Sequence, residues 1–192
     1  MARTYVSAAA IAAILTTAAH AAGPAGDASR DQAGTAMCVA TASLSLTHVR
    51  AVDPTISAAL HEGLQRSPSL AALVARIEAS DGIVYLISGR FLRLERGMCL
   101  RGGMSHAVTA ARPFRVIKIM VETGFGDRTI ATIGHELRHA VEVLDDSRAV
   151  DRASVELLYE RIGYRVSANV FETSDAQTAE RQVYRELSRC KN

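Results

Sequence analysis

Two histidines and a glutamate stand close together in the chain, at His135, Glu136 and His139. On a helix this order places the two imidazoles four residues apart, on one face and one turn from each other. Both rings could then bind one zinc ion. The carboxylate of Glu136 would lie slightly aside, where it could take a proton from a zinc-activated water and pass it to a leaving amine. The motif therefore predicts a zinc site with two histidine ligands and Glu136 as general base.

The residues around the motif predict the helices of the fold. Asp127 is a natural N-cap, and apolar residues recur behind it at helical spacing. The pairs Asp53-Pro54 and Ser67-Pro68 mark the starts of two earlier helices, because a cap followed by proline is a common helix start. Two further periodic segments follow the motif. The expected helices cover about 54–66, 68–80, 128–144, 151–162 and 174–188.

Short strands are predicted between the second helix and the motif helix. Residues 83–87 form a β-branched and aromatic run that is too short for a helix. The segment 91–100 fits one or two short antiparallel strands, after which Gly102-Gly103 should break the chain. Residues 114–121 predict a further strand. The sequence thus predicts an α+β fold with two N-terminal helices, a small, mostly antiparallel sheet, the motif helix and two C-terminal helices.

The motif helix resembles that of the zincin metallopeptidases, in which a strand-rich segment also precedes the helix. The uncharged and apolar residues that flank the zincin motif have counterparts here at Thr132, Ile133, Ala140 and Val141. The segments 134–144, 159–163 and 171–173 also resemble a group of exported bacterial proteins of unknown activity. The first resemblance implies zinc peptidase chemistry and the second a minimal zincin-like domain. Neither supplies a substrate.

The resemblance also implies a third zinc ligand. No histidine follows His139, so zincins with a third histidine do not fit, and a carboxylate is expected, as in the gluzincins or the aspartate variant. Glu172 is the first choice because it falls on the same side as the apolar residues of the last helix, and an acid aimed at the core needs a partner. Glu160 and then Glu156 are the alternatives, although both share the polar face of their helix.

Other polar side chains could assist the site. Glu142 follows His135 by seven residues, and its position suits a hydrogen bond to an imidazole better than ligation. Tyr159 or Tyr164 could donate a hydroxyl to a developing oxyanion, although tyrosines more often only pack. If no metal binds, two exposed histidines and an ion pair between Arg138 and Glu142 would be expected instead.

The first 21 residues have the features of a secretory signal peptide. Arg3 gives a short basic start, residues 5–19 carry no charge, and small residues stand at Ala19 and Ala21. Cleavage is expected after Ala21, or after Ala19 as a second choice. The mature protein is then expected in the periplasm or outside the cell, without a stable membrane anchor.

The mature chain is expected to consist of a disordered linker, residues 22–37, and one metallohydrolase domain, residues 38–192. Three cysteines, Cys38, Cys99 and Cys190, lie in this domain. An oxidising compartment would permit one disulfide among three possible pairings. The spacing of the cysteines does not suggest a metal site.

The charge balance argues against nucleic acid as a partner, because 22 basic residues nearly balance 20 acidic ones without a basic cluster. Two functions remain. The leading hypothesis is an exported zinc-dependent hydrolase that acts on a peptide or protein. The alternative is a zinc-stabilised envelope binding or scaffold protein without turnover.

Overall fold

The structure is a computed structural model that describes residues 46–90, 101–168 and 170–189. The expected signal peptide, linker, disulfide and strands within 91–100 lie outside these residues. The helices are α1 (Pro54–Arg66), α2 (Pro68–Glu78), α3 (Asp127–Asp145), α4 (Arg152–Ile162) and α5 (Ser174–Arg189). The strands are β1 (Val49–Ala51), β2 (Gly82–Ser88), β3 (Gly102–Met104), β4 (Thr109–Ala111), β5 (Phe114–Val121), β6 (Tyr164–Ser167) and β7 (Val170–Glu172). In the described part of the chain, no helix has the length and apolar character needed to cross a membrane.

The main sheet has the order β1-β2-β5-β3, and β4 also pairs with β5. β1, β2 and β5 are parallel, whereas β3 and β4 run antiparallel to β5. The α+β class and the order of helices are confirmed, but the sheet is mixed and its longest pairing, β2 with β5, is parallel. Part of this difference arises because α1 and α2 form a crossover between β1 and β2, and such a crossover joins parallel strands. The sequence analysis had missed β1.

Local capping explains the two helices of this crossover. The carboxylate of Asp53 accepts hydrogen bonds from the backbone N–H groups of Thr55 and Ile56, at 3.1 Å each. The hydroxyl of Ser67 accepts one from the N–H of Leu70, also at 3.1 Å. Proline follows each cap at the first helical position, where its missing N–H costs nothing. Both helix starts are therefore those predicted from the sequence.

The core lies between the sheet and the helices. Along β5, Ile117, Ile119 and Val121 are buried, whereas Lys118 and Met120 are exposed. Within the described residues, the alternation places the helices against one face of the sheet. A smaller hairpin, β6 with β7, follows α4 and was not predicted.

The motif helix α3 packs against α5 at short range. Gly134 faces Val183, and a Cβ atom at position 134 would lie only 2.8 Å from Val183 Cγ2. Glycine therefore lets the two helices approach closely at the residue before the motif. The predicted N-cap is corrected, because Asp127 is the first residue of the helix and its carboxylate contacts Arg66 at 3.0 Å instead.

Arg115 of β5 holds the other end of α3. Its guanidinium is buried, pairs with Asp81 at 2.7 Å, and donates to the carbonyl oxygens of Val143 and Leu144 at 3.0 and 2.7 Å. The hydrogen bond from Arg115 holds the pKa of Asp81 below its ordinary value. A positive charge satisfies carbonyls at the end of a helix that have no partner within it. The sheet thereby fixes where the motif helix ends.

Candidate metal centre

The structure brings His135, His139 and Glu172 together. The histidines lie on α3, and Glu172 is the last residue of β7. One ligand atom from each lies within 4.8 Å of the others. Glu172 oxygens lie 3.5 Å from His135 Nε2 and 3.6 Å from His139 Nε2. Ligand atoms about 2.1 Å from a tetrahedral ion stand about 3.4 Å apart, so this cluster could hold one metal ion.

The alternative carboxylates lie elsewhere. Glu160 is exposed and pairs with Arg165 at 3.0 Å, and Glu156 pairs with Arg152 at 2.8 Å. Neither belongs to the cluster. Among the three candidate acids, the structure places only Glu172 with the histidines.

A second carboxylate orients each histidine. Glu142 Oε2 lies 3.0 Å from His139 Nδ1, and Thr173 donates a hydrogen bond to its other oxygen at 2.8 Å. This is the role that the sequence suggested for Glu142. The contact leaves Nε2 of His139 facing Glu172, as a metal ligand requires.

Glu180 of α5 plays a similar part at His135, where its Oε2 lies 3.3 Å from Nδ1. The contact has ion-pair distance but not hydrogen-bond alignment, since Nδ1 lacks an aligned partner within the described residues. The sequence analysis missed Glu180. Its spacing from the buried residues Ala176 and Val183 was the available signal, because positions three and four residues away share a helix face.

The acids and histidines of the cluster shift each other's pKa. Burial lowers the pKa of His139, but the hydrogen bond to Glu142 and the contact with Glu172 outweigh it and raise the value to about 9. Burial also opposes the charge on His135, yet Glu180 and Glu136 raise its pKa. Without a metal, the cluster therefore favours protonated histidines.

Glu136 sits directly beside these ligands and is 4% exposed. Burial raises its pKa. Its Oε2 atom is buried and has no hydrogen-bond partner among the described residues. A buried acceptor without a donor costs free energy, and a water on a metal ion would supply that donor. The residues present therefore fit a metal ion with a bound water.

A cavity of about 90 Å³ opens at the cluster, and β3 forms one wall of it. Gly102 lies against Glu136, since a Cβ atom there would be 2.6 Å from Glu136 Oε1 and from Thr132 Cγ2. The expected chain break at Gly102-Gly103 is thus wrong. Pairing with β5 makes these glycines part of a strand, and the missing side chain lets this strand touch α3.

His106 also lines this cavity and was missed by the sequence analysis. Its ring lies 5.7 Å from the ring of Tyr159 and 5.6 Å from that of Phe171, measured between centroids. Burial lowers its pKa and so favours the neutral ring. No periodic or local motif marks this residue in the sequence, because pairing of distant strands brings it to the site.

The two candidate tyrosines have other partners. Tyr159 is buried and its hydroxyl donates to the carbonyl oxygen of His139 at 3.2 Å. Tyr164 is exposed and its hydroxyl accepts a hydrogen bond from Gln177 at 2.8 Å. Arg138, two residues after Glu136, pairs with Asp175 of α5 and lies 3.6 Å from Glu142. Its guanidinium therefore faces two acids that are not among the three candidate metal ligands.

No known family model, curated protein or solved structure matches this chain.

Proposed function

We propose that the protein is an exported zinc-dependent hydrolase that cleaves peptide bonds. The observation that carries this proposal is the cluster of His135, His139 and Glu172 within 4.8 Å, with the unpartnered, buried oxygen of Glu136 beside it. Two imidazoles, one carboxylate and a position left for water make up a common catalytic zinc set. Export is supported by the signal-peptide pattern of the first 21 residues.

Each residue would have a defined role in the reaction. His135 and His139 would bind the metal ion through Nε2, and Glu142 would keep a proton on Nδ1 of His139. A zinc ion at this site would act as a Lewis acid and lower the pKa of a water that it holds to about 7. Glu136 would accept a proton at Oε2 and deliver it to the leaving amine.

The position of β3 supports a peptide as substrate. β3 pairs with β5 on one side, and the described part of the chain places no strand on its other side. An extended peptide that paired with β3 on that side would place one of its bonds above Glu136. The backbone of Gly102 already contacts that carboxylate.

The alternative is a metal-stabilised binding protein without turnover. The small cavity favours it, since about 90 Å³ is well below the roughly 300–1,000 Å³ of most ligand pockets. The two functions make different predictions for Glu136, because a general base is needed for turnover but not for holding the metal.

The test is the substitution Glu136→Gln, with Glu160→Gln as a matched control at an exposed glutamate. The zinc-loaded proteins are incubated with a peptide library and cleavage is followed by mass spectrometry. Glu136→Gln should keep one zinc per chain and lose about 10²- to 10⁴-fold in turnover, while Glu160→Gln behaves like the parent. Equal turnover by Glu136→Gln and the parent contradicts the mechanism. A zinc-loaded parent that cleaves no peptide favours the binding protein.

A further inference from the structure

A second cavity, of about 280 Å³, lies between the start of β3, α3 and α5. Three arginines line it, Arg101, Arg128 and Arg181. Glu180 is the one acid among its described lining residues, and this acid faces His135 at 3.3 Å. The cavity therefore carries an excess of positive charge next to the cluster of His135, His139 and Glu172. We name it the arginine pocket.

The arginines of this pocket form no salt bridge among the described residues, although Arg181 interacts electrostatically with Glu180. Within the described ranges, neither Arg101 nor Arg128 forms an ion pair with an acid. Arg181 donates to a hydroxyl, that of Thr178, at 2.9 Å. Such charges attract an anion more strongly than arginines already held in salt bridges.

Arg101 gives the more specific sign of a binding site. Its Nη1 atom is buried and has no hydrogen-bond partner in the part of the chain that the structure describes. Its guanidinium carbon lies 4.2 Å from the centre of the Phe125 ring, and this stacking fixes the group in place. A fixed, buried donor without an acceptor costs free energy that a bound anion would recover.

The arginine pocket is near enough to Glu136 to contact the same substrate. Thr132 lines the pocket one helical turn before Glu136, and Arg128 lies one turn earlier still. These steps correspond to about 6 and 12 Å along the helix axis. An extended peptide advances about 3.3 Å per residue, so the pocket lies within about four residues of a bond above Glu136.

We infer that the arginine pocket binds a carboxylate of the substrate, either its free C-terminus or an Asp or Glu side chain within about four residues of the cleaved bond. Arginine suits this ligand because its planar guanidinium can donate two parallel hydrogen bonds to one carboxylate. The inference rests on the proposed hydrolase function, because the bound peptide is a substrate only if the protein cleaves it. Binding of the carboxylate itself can be measured without turnover.

The experiment uses the zinc-loaded Glu136→Gln protein, so that cleavage does not interfere, and fluorescent, N-acylated alanine hexapeptides. One peptide is a neutral amide, one has a free C-terminal carboxylate, and the others are amides with a single Glu at each position. Dissociation constants are measured by fluorescence anisotropy. At least one carboxylate peptide should bind about tenfold or more tightly than the neutral amide. The peptide that gains affinity identifies which source of carboxylate the pocket takes.

Substitutions then test whether the arginines cause the preference for a carboxylate peptide. Arg101→Gln and Arg128→Gln, each added to the same protein, should reduce the ratio of affinities toward one. Arg128 is exposed, so its replacement tests the pocket even if Arg101→Gln disturbs folding. Lys118→Gln is the matched control, because it removes a positive charge from the exposed face of β5. The zinc content should be the same in all variants.

The outcomes separate this inference from the proposed function. No preference for any carboxylate peptide, or a preference that survives both arginine substitutions, overturns the arginine pocket. If the parent cleaves peptides without such a preference, the hydrolase function is supported and the arginine pocket is overturned. A preference that depends on the arginines, in a protein that cleaves no peptide, supports the pocket and contradicts the hydrolase.

Discussion

Protons and zinc should compete for His139. In the metal-free protein its pKa is about 9, whereas the ordinary value is 6.5. Below pH 9 each zinc ion must therefore displace a proton from this ring, and this proton alone should raise the apparent association constant about tenfold from pH 7 to pH 8. A histidine with the ordinary pKa would give a rise of only about 1.3-fold over the same interval.

The same shift predicts how the metal-free protein responds to pH. A group whose pKa is higher in the folded state stabilises that state fully below its unfolded pKa, and this contribution is lost as the pH rises through the folded pKa. For His139 the window runs from about 6.5 to about 9. Its width corresponds to about 3 kcal/mol of unfolding free energy, which is lost toward pH 9 in the metal-free protein only.

Glu142→Gln tests the cause of the shift, because it removes the carboxylate that contacts His139 at 3.0 Å. The pKa of His139 should fall, the rise in zinc affinity between pH 7 and 8 should flatten, and affinity at pH 9 should fall about 10- to 100-fold. Zinc affinity is measured against a chromophoric chelator calibrated at each pH, with Glu160→Gln as control. A rise of less than twofold in the parent, or an unchanged profile in Glu142→Gln, would refute the reasoning.

Three further predictions concern the approach of β3, the packing of α3 and the start of the mature chain. Gly102→Ala should displace Glu136, because the new Cβ would lie 2.6 Å from its Oε1; turnover should fall about 10²-fold while zinc stoichiometry stays the same, and equal turnover would exclude this contact. Gly134→Ala should crowd Val183 and lower the unfolding free energy by about 1–3 kcal/mol in urea titrations, and an unchanged midpoint would contradict the packing. N-terminal sequencing of the secreted protein should find Ala22 or a residue within two of it, and finding Met1 would contradict signal cleavage.

The helices could be predicted because their signals are local. Asp53-Pro54 and Ser67-Pro68 contain both the cap and the first helical residue, and neither depends on distant contacts. The helix face on which a residue falls is also set by the spacing of nearby residues. The apolar face of the last helix, extended backwards, singled out Glu172, which the structure places with His135 and His139, although as the last residue of β7 and not on a helix.

The short strands could not be predicted in the same way. β1 and β3 have three residues each, too few for a periodic pattern, and pairing with longer strands stabilises them. The outer parts of the site depend on this pairing. His106 follows β3 and reaches the cavity only when that strand lies against β5.

The bonds to the metal are the most direct test of the cluster. The apoprotein is loaded with zinc, the metal content is measured, and X-ray absorption reports which atoms surround the ion. We expect one zinc per chain with two imidazole nitrogens and oxygen ligands, and a loss of affinity in Glu172→Gln but not in Glu160→Gln. Zinc uptake no greater than that of a His135→Ala, His139→Ala double variant would contradict the metal centre.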